Sequence, residues 1–218
     1  NLIKKYCQDA DIIHHLAGIT SVPRVENEAN SEQEKLIEEV AIIGTQNILD
    51  VISDECKIIL PSSHVVYESL NDVKKNIKEN EETCPKLSYG KSKDYNEKQL
   101  KNSGKKFIVL RLGSVYGYSG DTTRLDIMTN LFSKVASQNG VLNLFAGGRQ
   151  IKSLVPVIDV ARCFKFMEEK EDISKELFNV SKDTVTVKYV AEICKKYNQN
   201  IELKETNDEI PNLGFSLS

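Results

Sequence analysis

The segment YGKSK places Tyr89 four residues before Lys93. In a helix the two side chains would lie on one face. An ammonium beside a tyrosine hydroxyl would favour the phenolate, a form that can accept a proton from a substrate. The spacing has little weight by itself, because a chain with eight Tyr and 24 Lys among 218 residues should contain such a pair once by chance. The segments around the pair must therefore decide whether it is catalytic.

The composition is typical of a globular protein with a small-molecule partner. Hydrophobic residues make up 40% and charged residues 28% of the chain, and the net charge is −3. A chain of this length can bury a sizeable core. Because the lysines are scattered and form no basic stripe, we expect neither nucleic acid nor an anionic membrane as the main partner. No run approaches the ~20 apolar residues of a membrane span.

Cysteine and histidine usage predicts neither a disulfide framework nor a metal site. The five cysteines are widely spaced and include no C-x-x-C pair, which favours a reducing, cytoplasmic location. His14 and His15 are adjacent, so in a strand they would point to opposite faces, and His64 is distant in sequence. We therefore expect no bound metal.

Three apolar runs predict strands that alternate with helices. DIIHHL (11–16), KIIL (57–60) and FIVLRL (107–112) are continuous rather than alternating, which is typical of parallel strands covered on both faces. Helical patterns occupy 31–53 and 87–102. The apolar positions of the first helix are Leu36, Val40, Ile43, Ile48 and Val51. The alternation predicts an α/β fold with a Rossmann-like, doubly wound parallel sheet.

The pattern changes after Gly120, where the sequence predicts a smaller α/β lobe. The predicted helices are 124–137, 159–169 and 186–197, with a short apolar run at 153–158 and a strand at 176–181. Asp159 and Thr186 are the expected N-caps of the last two helices.

The ends of the predicted strands carry small and hydroxyl residues. LAGIT follows the first strand, PSSHVVY the second and GSVYG the third. Tyr89 and Lys93 fall on the helix between the second and third strands. Ligands of doubly wound sheets bind beyond these carboxyl ends, so the pair stands where a ligand is expected.

Six motifs follow one another along the chain: DIIHHLAG (11–18), GTQNIL (44–49), SSHVVY (62–67), YGKSK (89–93), LRLGSVYG (110–117) and LVPVIDVA (154–161). In this order they resemble the extended short-chain dehydrogenase/reductase family, the NAD-dependent epimerase/dehydratase group that acts on nucleotide sugars. The resemblance implies NAD as the cofactor, with NADP left open, and a nucleotide sugar as the substrate. It also implies a partial dinucleotide-binding domain at 1–117 and a substrate-binding lobe at 118–218, in which about 153–169 packs back on the first domain.

The resemblance assigns catalytic roles to three residues. Tyr89 would be the acid–base group, and Lys93 its electrostatic support and a contact of the nicotinamide ribose. Ser63 would hold the reacting sugar oxygen, with Ser62 the weaker candidate.

The resemblance also assigns binding roles. Leu16, Ala17 and Gly18 would line the dinucleotide, and Gly113 would lie at its nicotinamide end. Ser114 and Lys152 stand where relatives carry the Asn and Arg that contact the substrate diphosphate. We further expect a homodimer formed through helices 31–53 and 87–102.

The sequence also departs from the family pattern. No glycine-rich phosphate-binding turn is present, so we expect that the first βα units are missing and that this segment alone binds NAD weakly and turns over slowly. Ala41 replaces an Asn found in many relatives. His64 and Val65 replace the Asp and Glu that dehydratases use to eliminate water.

These features favour NAD-dependent epimerisation of a nucleotide sugar at C4 through a transient ketone, with Tyr89 as acid and base. Two alternatives stay open. One is an NADP-dependent reductase of the same family, and the other is a dinucleotide-responsive binding protein without turnover.

Overall fold

The computed structural model describes residues 2–19, 31–68, 73–120, 124–207 and 214–218. The chain forms two compact units. The first unit comprises Asn1–Ser69, Glu79–Leu112 and Arg162–Asn179, and the second comprises Leu70–Lys78, Gly113–Ala161 and Val180–Ser218. The domain boundary expected from the sequence stays a prediction. Within the described ranges, no helix is both long and apolar enough to cross a membrane.

The elements follow one another as helices and short strands. The helices are α1 (Leu2–Cys7), α2 (Ser31–Ile37), α3 (Gly44–Leu49), α4 (Ser88–Asn102), α5 (Met128–Ser137), α6 (Val157–Glu169) and α7 (Val187–Tyr197). The strands are β1 (Ile12–His14), β2 (Lys57–Ser63), β3 (Lys106–Leu112), β4 (Ser114–Tyr116), β5 (Val141–Leu144), β6 (Ile151–Pro156), β7 (Glu176–Val180), β8 (Asp183–Thr186) and β9 (Glu202–Glu205). A π turn (Glu38–Ile43) joins α2 to α3, and 3-10 turns lie at His64–Tyr67 and Phe145–Gly148.

The parallel sheet predicted from the apolar runs is confirmed. Its strand order is β1-β2-β3-β7, and β2 pairs in parallel with both β1 and β3. Three consecutive residues of β2 (Ile58–Leu60) and three of β3 (Ile108–Leu110) are fully buried. Complete burial of such a side chain contributes about 1.5–3 kcal/mol, so these two strands anchor the first unit.

Helices α3 and α4 cover one face of this sheet. The buried cluster there consists of Leu49, Ile52, Cys56, Ile58, Leu60, Leu100, Phe107 and Val109. Helix α4 is thereby fixed against β2 and β3, and it carries the residues Tyr89 and Lys93.

The helix predicted at 31–53 is present but ends at Leu49, and its buried positions differ from the predicted ones. Leu36 and Ile43 are exposed, whereas Ile37, Ala41 and Thr45 are buried at intervals of four. Residues four apart lie on one face of a helix, so the buried face of this segment runs along 37, 41 and 45. The predicted apolar face was wrong at Leu36 and Ile43, because two of the buried positions carry the small side chain of Ala41 and the polar side chain of Thr45.

The described residues of the second unit form two small sheets. Strands β4, β6 and β8 form one, with β4 parallel and β8 antiparallel to β6, and β5 pairs in parallel with β9. Helices α5 and α7 pack on each other and on β5 through Phe132, Ala136, Leu142, Leu144, Val187, Ala191 and Ile201.

Of the two predicted helix caps, one is confirmed and one is wrong. The Thr186 hydroxyl accepts a hydrogen bond from the Tyr189 backbone N–H at 3.2 Å. Asp159 lies instead in the first turn of α6, which begins at Val157. A carboxylate there still favours the helix through its dipole, and it forms an ion pair with Lys182 at 3.2 Å.

Candidate active site

The predicted site residues fall into two groups. Leu16, Ala17, Gly18, Ser63, Tyr89 and Lys93 belong to the first unit, and Gly113, Ser114 and Lys152 belong to the second. The first group follows or adjoins the carboxyl ends of parallel strands β1 and β2, the edge at which doubly wound sheets bind ligands.

Ser63 is the last residue of β2 and caps the 3-10 turn that follows. Its Oγ accepts a hydrogen bond from the Val65 backbone N–H at 3.4 Å. Only 8% of the residue is exposed. Because the Oγ accepts within the turn, its hydroxyl hydrogen can be donated to another oxygen.

Helix α4 begins directly against this turn. A Cβ at Gly90 would lie 3.1 Å from the Val65 carbonyl oxygen and 3.1 Å from the Pro85 Cβ. The absence of a side chain at residue 90 therefore lets Tyr89, the half-buried neighbour of Gly90, approach the segment that follows Ser63.

Lys93 is buried beside Tyr89. Only 7% of it is exposed, and its Nζ lies 5.7 Å from the centroid of the Tyr89 ring. The Nζ donates a hydrogen bond to the Pro61 carbonyl oxygen at 2.9 Å. Burial lowers the pKa of the Lys93 ammonium to about 8, against an opposing contribution from Glu97. The ammonium is therefore poorly solvated, and a ligand with an anionic or hydroxyl group next to it would stabilise its charge.

The loop after β1 passes next to the same ammonium. A Cβ at Gly18 would lie 3.8 Å from Lys93 Nζ, and Leu16 is 66% exposed. The loop thus presents accessible backbone and small side chains beside a cation, an arrangement that admits a ligand with hydroxyl groups.

Ser62 takes part in a buried charge network rather than in the open edge. Its hydroxyl donates to Glu97 Oε1 at 2.5 Å, and Glu97 also pairs with Arg111 at 2.6 Å. Arg111 in turn donates to the Tyr67 hydroxyl and to the Glu79 carbonyl oxygen. The network joins β2, β3 and α4 and leaves Ser63, not Ser62, at the strand end.

Sequence reasoning assigned no role to a second buried network, which joins His15, Thr45 and Asn96. These residues are 4%, 0% and 2% exposed, and Thr45 Oγ1 lies 2.8 Å from His15 Nε2 and 3.0 Å from Asn96 Nδ2. Burial, and to a smaller extent the Lys93 ammonium, lowers the pKa of His15 to about 4. The ring is therefore neutral near pH 7.

The second group of predicted residues lies on the β4-β6-β8 sheet. Ser114 pairs with Leu154, and Lys152 precedes Leu154 by two residues on β6, so Ser114 and Lys152 share a face of the sheet. Gly113 is a packing position, because a Cβ there would lie 2.7 Å from the Ser153 carbonyl oxygen.

Cavity volume alone does not identify the site. A pocket of about 1040 Å³ lies within the second unit, between α5, α7 and strands β4, β6 and β8. None of the predicted site residues lines it. Among the described residues, no group of three or more His, Cys, Asp or Glu side chains is placed to hold a metal ion.

Comparison with models of known protein families identifies the family of the chain. The model of the NAD dependent epimerase/dehydratase family matches residues 1–181. The chain therefore belongs to the NAD-dependent epimerase/dehydratase family of enzymes. No curated protein sequence matches it significantly.

Solved structures share the fold. The UDP-glucose 4-epimerase of Thermotoga maritima, solved with UDP-glucose, is 21% identical with a TM-score of 0.82, over 99% of this chain and 71% of that one. The UDP-glucuronic acid 4-epimerase of Bacillus cereus, solved with UDP-glucuronic acid and NAD, is 21% identical with a TM-score of 0.80, over 100% and 69%. MoeE5 in complex with UDP-glucuronic acid and NAD is 16% identical with a TM-score of 0.81, over 99% and 72%.

Proposed function

We propose that the protein epimerises a nucleotide sugar at C4, using NAD and the acid–base group Tyr89. The observation that carries the proposal is the buried Lys93 ammonium, 5.7 Å from the Tyr89 ring and bonded to the end of β2. Family membership and the fold shared with two sugar-nucleotide 4-epimerases support the reaction class.

The residues at the edge of β1 and β2 fit a dinucleotide. The exposed backbone at 16–18 and the missing side chain of Gly18 leave space next to Lys93 Nζ, so Lys93 could donate hydrogen bonds to a ribose. When bound, NAD would supply the acceptance and return of a hydride at the sugar carbon.

The protein's own side chains would move the proton and hold the oxygen. Tyr89 would accept the proton of the C4 hydroxyl and later return it to the ketone oxygen. Ser63 would donate a hydrogen bond to that same oxygen, and the Lys93 ammonium would stabilise the negative charge on the phenolate. Ser114 and Lys152 are proposed to contact the diphosphate of the substrate.

Two residues argue against dehydration. Val65 has no titratable group, and His64 uses its Nδ1 nitrogen to contact the Leu112 carbonyl oxygen at 2.9 Å. A carbonyl oxygen only accepts, so that nitrogen carries a hydrogen and is not available as a base. Elimination of water needs an acid and a base on the sugar, and this pair of positions does not provide both.

We also propose that two copies associate through α2, α3 and α4. Leu36 on α2, Ile43 at the end of the π turn and Tyr95 on α4 are each exposed by 46–50%. Apolar side chains exposed to this extent favour burial against a second copy. Sedimentation of the protein and of an Ile43→Glu variant tests this association.

The reaction is tested with protein expressed from the complete gene. We would supply NAD with UDP-glucose or UDP-glucuronic acid and identify products by NMR. A C4 epimer without net NADH supports the proposal. Stoichiometric NADPH consumption would assign a reductase instead, and NAD binding without turnover of a broader panel of UDP- and GDP-sugars would assign a binding protein.

A further inference from the structure

The hydroxyl of Thr45 lies at the centre of the second buried network. It donates its one hydrogen to the Ala41 carbonyl oxygen at 2.5 Å. It can then only accept from the side chains of His15 and Asn96. His15 Nε2 must therefore carry the hydrogen, and Nδ1 is the acceptor nitrogen of the neutral ring.

The network satisfies carbonyl groups of the π turn. Asn96 Nδ2 donates to the Ala41 carbonyl oxygen at 2.8 Å, and Gln99 Nε2 donates to that of Ile42 at 3.0 Å. A π turn displaces carbonyl groups from regular helical pairing and is frequent at functional sites. Here α4 supplies the donors, so the turn and α4 are held together by buried hydrogen bonds.

The two outer residues of the network adjoin the two sides of the proposed cofactor site. His15 precedes Gly18 by three residues, and Asn96 follows Lys93 by three residues, on the same side of α4. Both sides are also anchored on β2, since the His15 N–H donates to the Ile59 carbonyl oxygen and Lys93 Nζ to that of Pro61. Thr45 thus bridges the loop and the helix between which Gly18 and Lys93 meet.

We propose that His15, Thr45 and Asn96 are positioning residues that hold the 16–18 loop and Lys93 at the spacing a dinucleotide requires. The inference rests on the proposed function for the identity of the ligand. Loss of the Thr45 hydroxyl leaves two buried donors and one carbonyl oxygen with fewer partners, so the loop and α4 would move apart and the site would loosen.

The test uses Thr45→Val, which removes the hydroxyl at nearly constant volume, and Thr45→Ser, which restores it. Both are made in protein expressed from the complete gene. The matched control is Asn47→Ala, because Asn47 lies two residues further along α3 with its side chain exposed. Asn96→Ala keeps the contact between Thr45 and His15 but removes the Asn96 bonds to Thr45 and to the Ala41 carbonyl oxygen, and it serves if Thr45→Val does not fold.

The first readout is the NAD dissociation constant by calorimetry, without sugar present. Thr45→Val should raise it about five- to tenfold, the effect of one lost hydrogen bond, whereas Thr45→Ser and Asn47→Ala should match the unchanged protein. Asn96→Ala should also raise it.

The second readout needs no cofactor. Competitive acetylation followed by mass spectrometry measures the pKa of Lys93 across pH. The charged or titratable groups near Lys93 are Tyr89 and Glu97 on α4 and His15 on the loop side. In Thr45→Val, water admitted by the looser packing should return the pKa of Lys93 toward its ordinary value.

The outcomes separate this inference from the proposed function. Thr45→Val with a lower melting temperature but unchanged NAD affinity and Lys93 titration would overturn it and leave a purely structural network. If the unchanged protein binds NAD but converts no sugar, the reaction is wrong and the affinity comparison still decides the inference. If the unchanged protein binds no dinucleotide, the proposed function is wrong and so is the ligand assumed in this inference. The positioning role would then depend on the Lys93 titration alone, and an unchanged titration in Thr45→Val would overturn it.

Discussion

The Lys93 ammonium donates a hydrogen bond to the Pro61 carbonyl oxygen at 2.9 Å while only 7% of the residue is exposed. Burial lowers the pKa of Lys93 to about 8, below its value of ~10.4 in an unfolded chain. Between these values the unfolded state binds a proton that the folded state has released. The stability of the native protein should therefore rise with pH across this window.

A Lys93→Met variant lacks this titration. From pH 7 to 10.5 the unchanged protein should gain about 2–4 kcal/mol of unfolding free energy relative to the variant. Urea denaturation of both proteins across the window measures the difference. A difference that does not vary with pH would show that Lys93 titrates as an exposed lysine.

The stability of the protein at acidic pH should depend on His15. Burial and the nearby Lys93 ammonium lower its pKa to about 4, so between pH 6.5 and 4 the unfolded state binds a proton that the folded state excludes. The native protein should lose about 2–4 kcal/mol relative to His15→Gln as the pH falls from 7 to 4. Gln keeps a donor for Thr45, so equal acid sensitivity of the two proteins would contradict the assignment.

Close packing at Gly90 predicts that a side chain at this position lowers the stability of the protein, and Gly44 provides a matched control. Ala at residue 90 must displace the Val65 carbonyl oxygen or Pro85, so Gly90→Ala should destabilise the protein by about 1–2 kcal/mol. Gly44 is also helical, but its Cβ would be 3.8 Å from the nearest atom. Gly44→Ala should therefore stabilise by about 0.5–1 kcal/mol. Thermal unfolding of both variants checks the contrast, and equal effects would exclude the proposed contact.

Neutralising one partner of the buried Glu97–Arg111 ion pair should strongly lower the free energy of unfolding. Both side chains are almost fully buried, so Glu97→Gln should cost about 3–5 kcal/mol by leaving the guanidinium uncompensated. Glu55, which pairs with Lys106 at the surface, is the control, and Glu55→Gln should cost less than about 1 kcal/mol. Similar losses in the two variants would contradict the role of burial.

The sequence predicted the sheet because its strands are buried on both faces. The continuous apolar runs at 57–60 and 107–112 favour central parallel strands, and the strands of the structure extend over Lys57–Ser63 and Lys106–Leu112. The short strands β4, β5, β8 and β9 were not predicted, since three or four residues with one exposed face resemble loop sequence.

Spacing alone predicts only those contacts of the candidate site that lie within one segment, whereas its distant segments were expected through the family resemblance. Tyr89 and Lys93 share one helix, so their contact follows from spacing. The Thr45 network joins residues 30 and 51 positions apart, and it also bonds the Ala41 carbonyl oxygen of a π turn. Neither long-range pairing nor a π turn leaves a periodic trace in sequence, so this part needed the structure.

The central claim is that Tyr89 transfers the substrate proton, and Tyr89→Phe tests it most directly. The variant keeps the ring beside Lys93 and removes only the hydroxyl. In protein expressed from the complete gene, kcat for interconversion of the C4 epimers should fall at least about 100-fold, while NAD affinity stays close to that of the unchanged protein. Turnover by Tyr89→Phe at the rate of the unchanged protein would contradict the account.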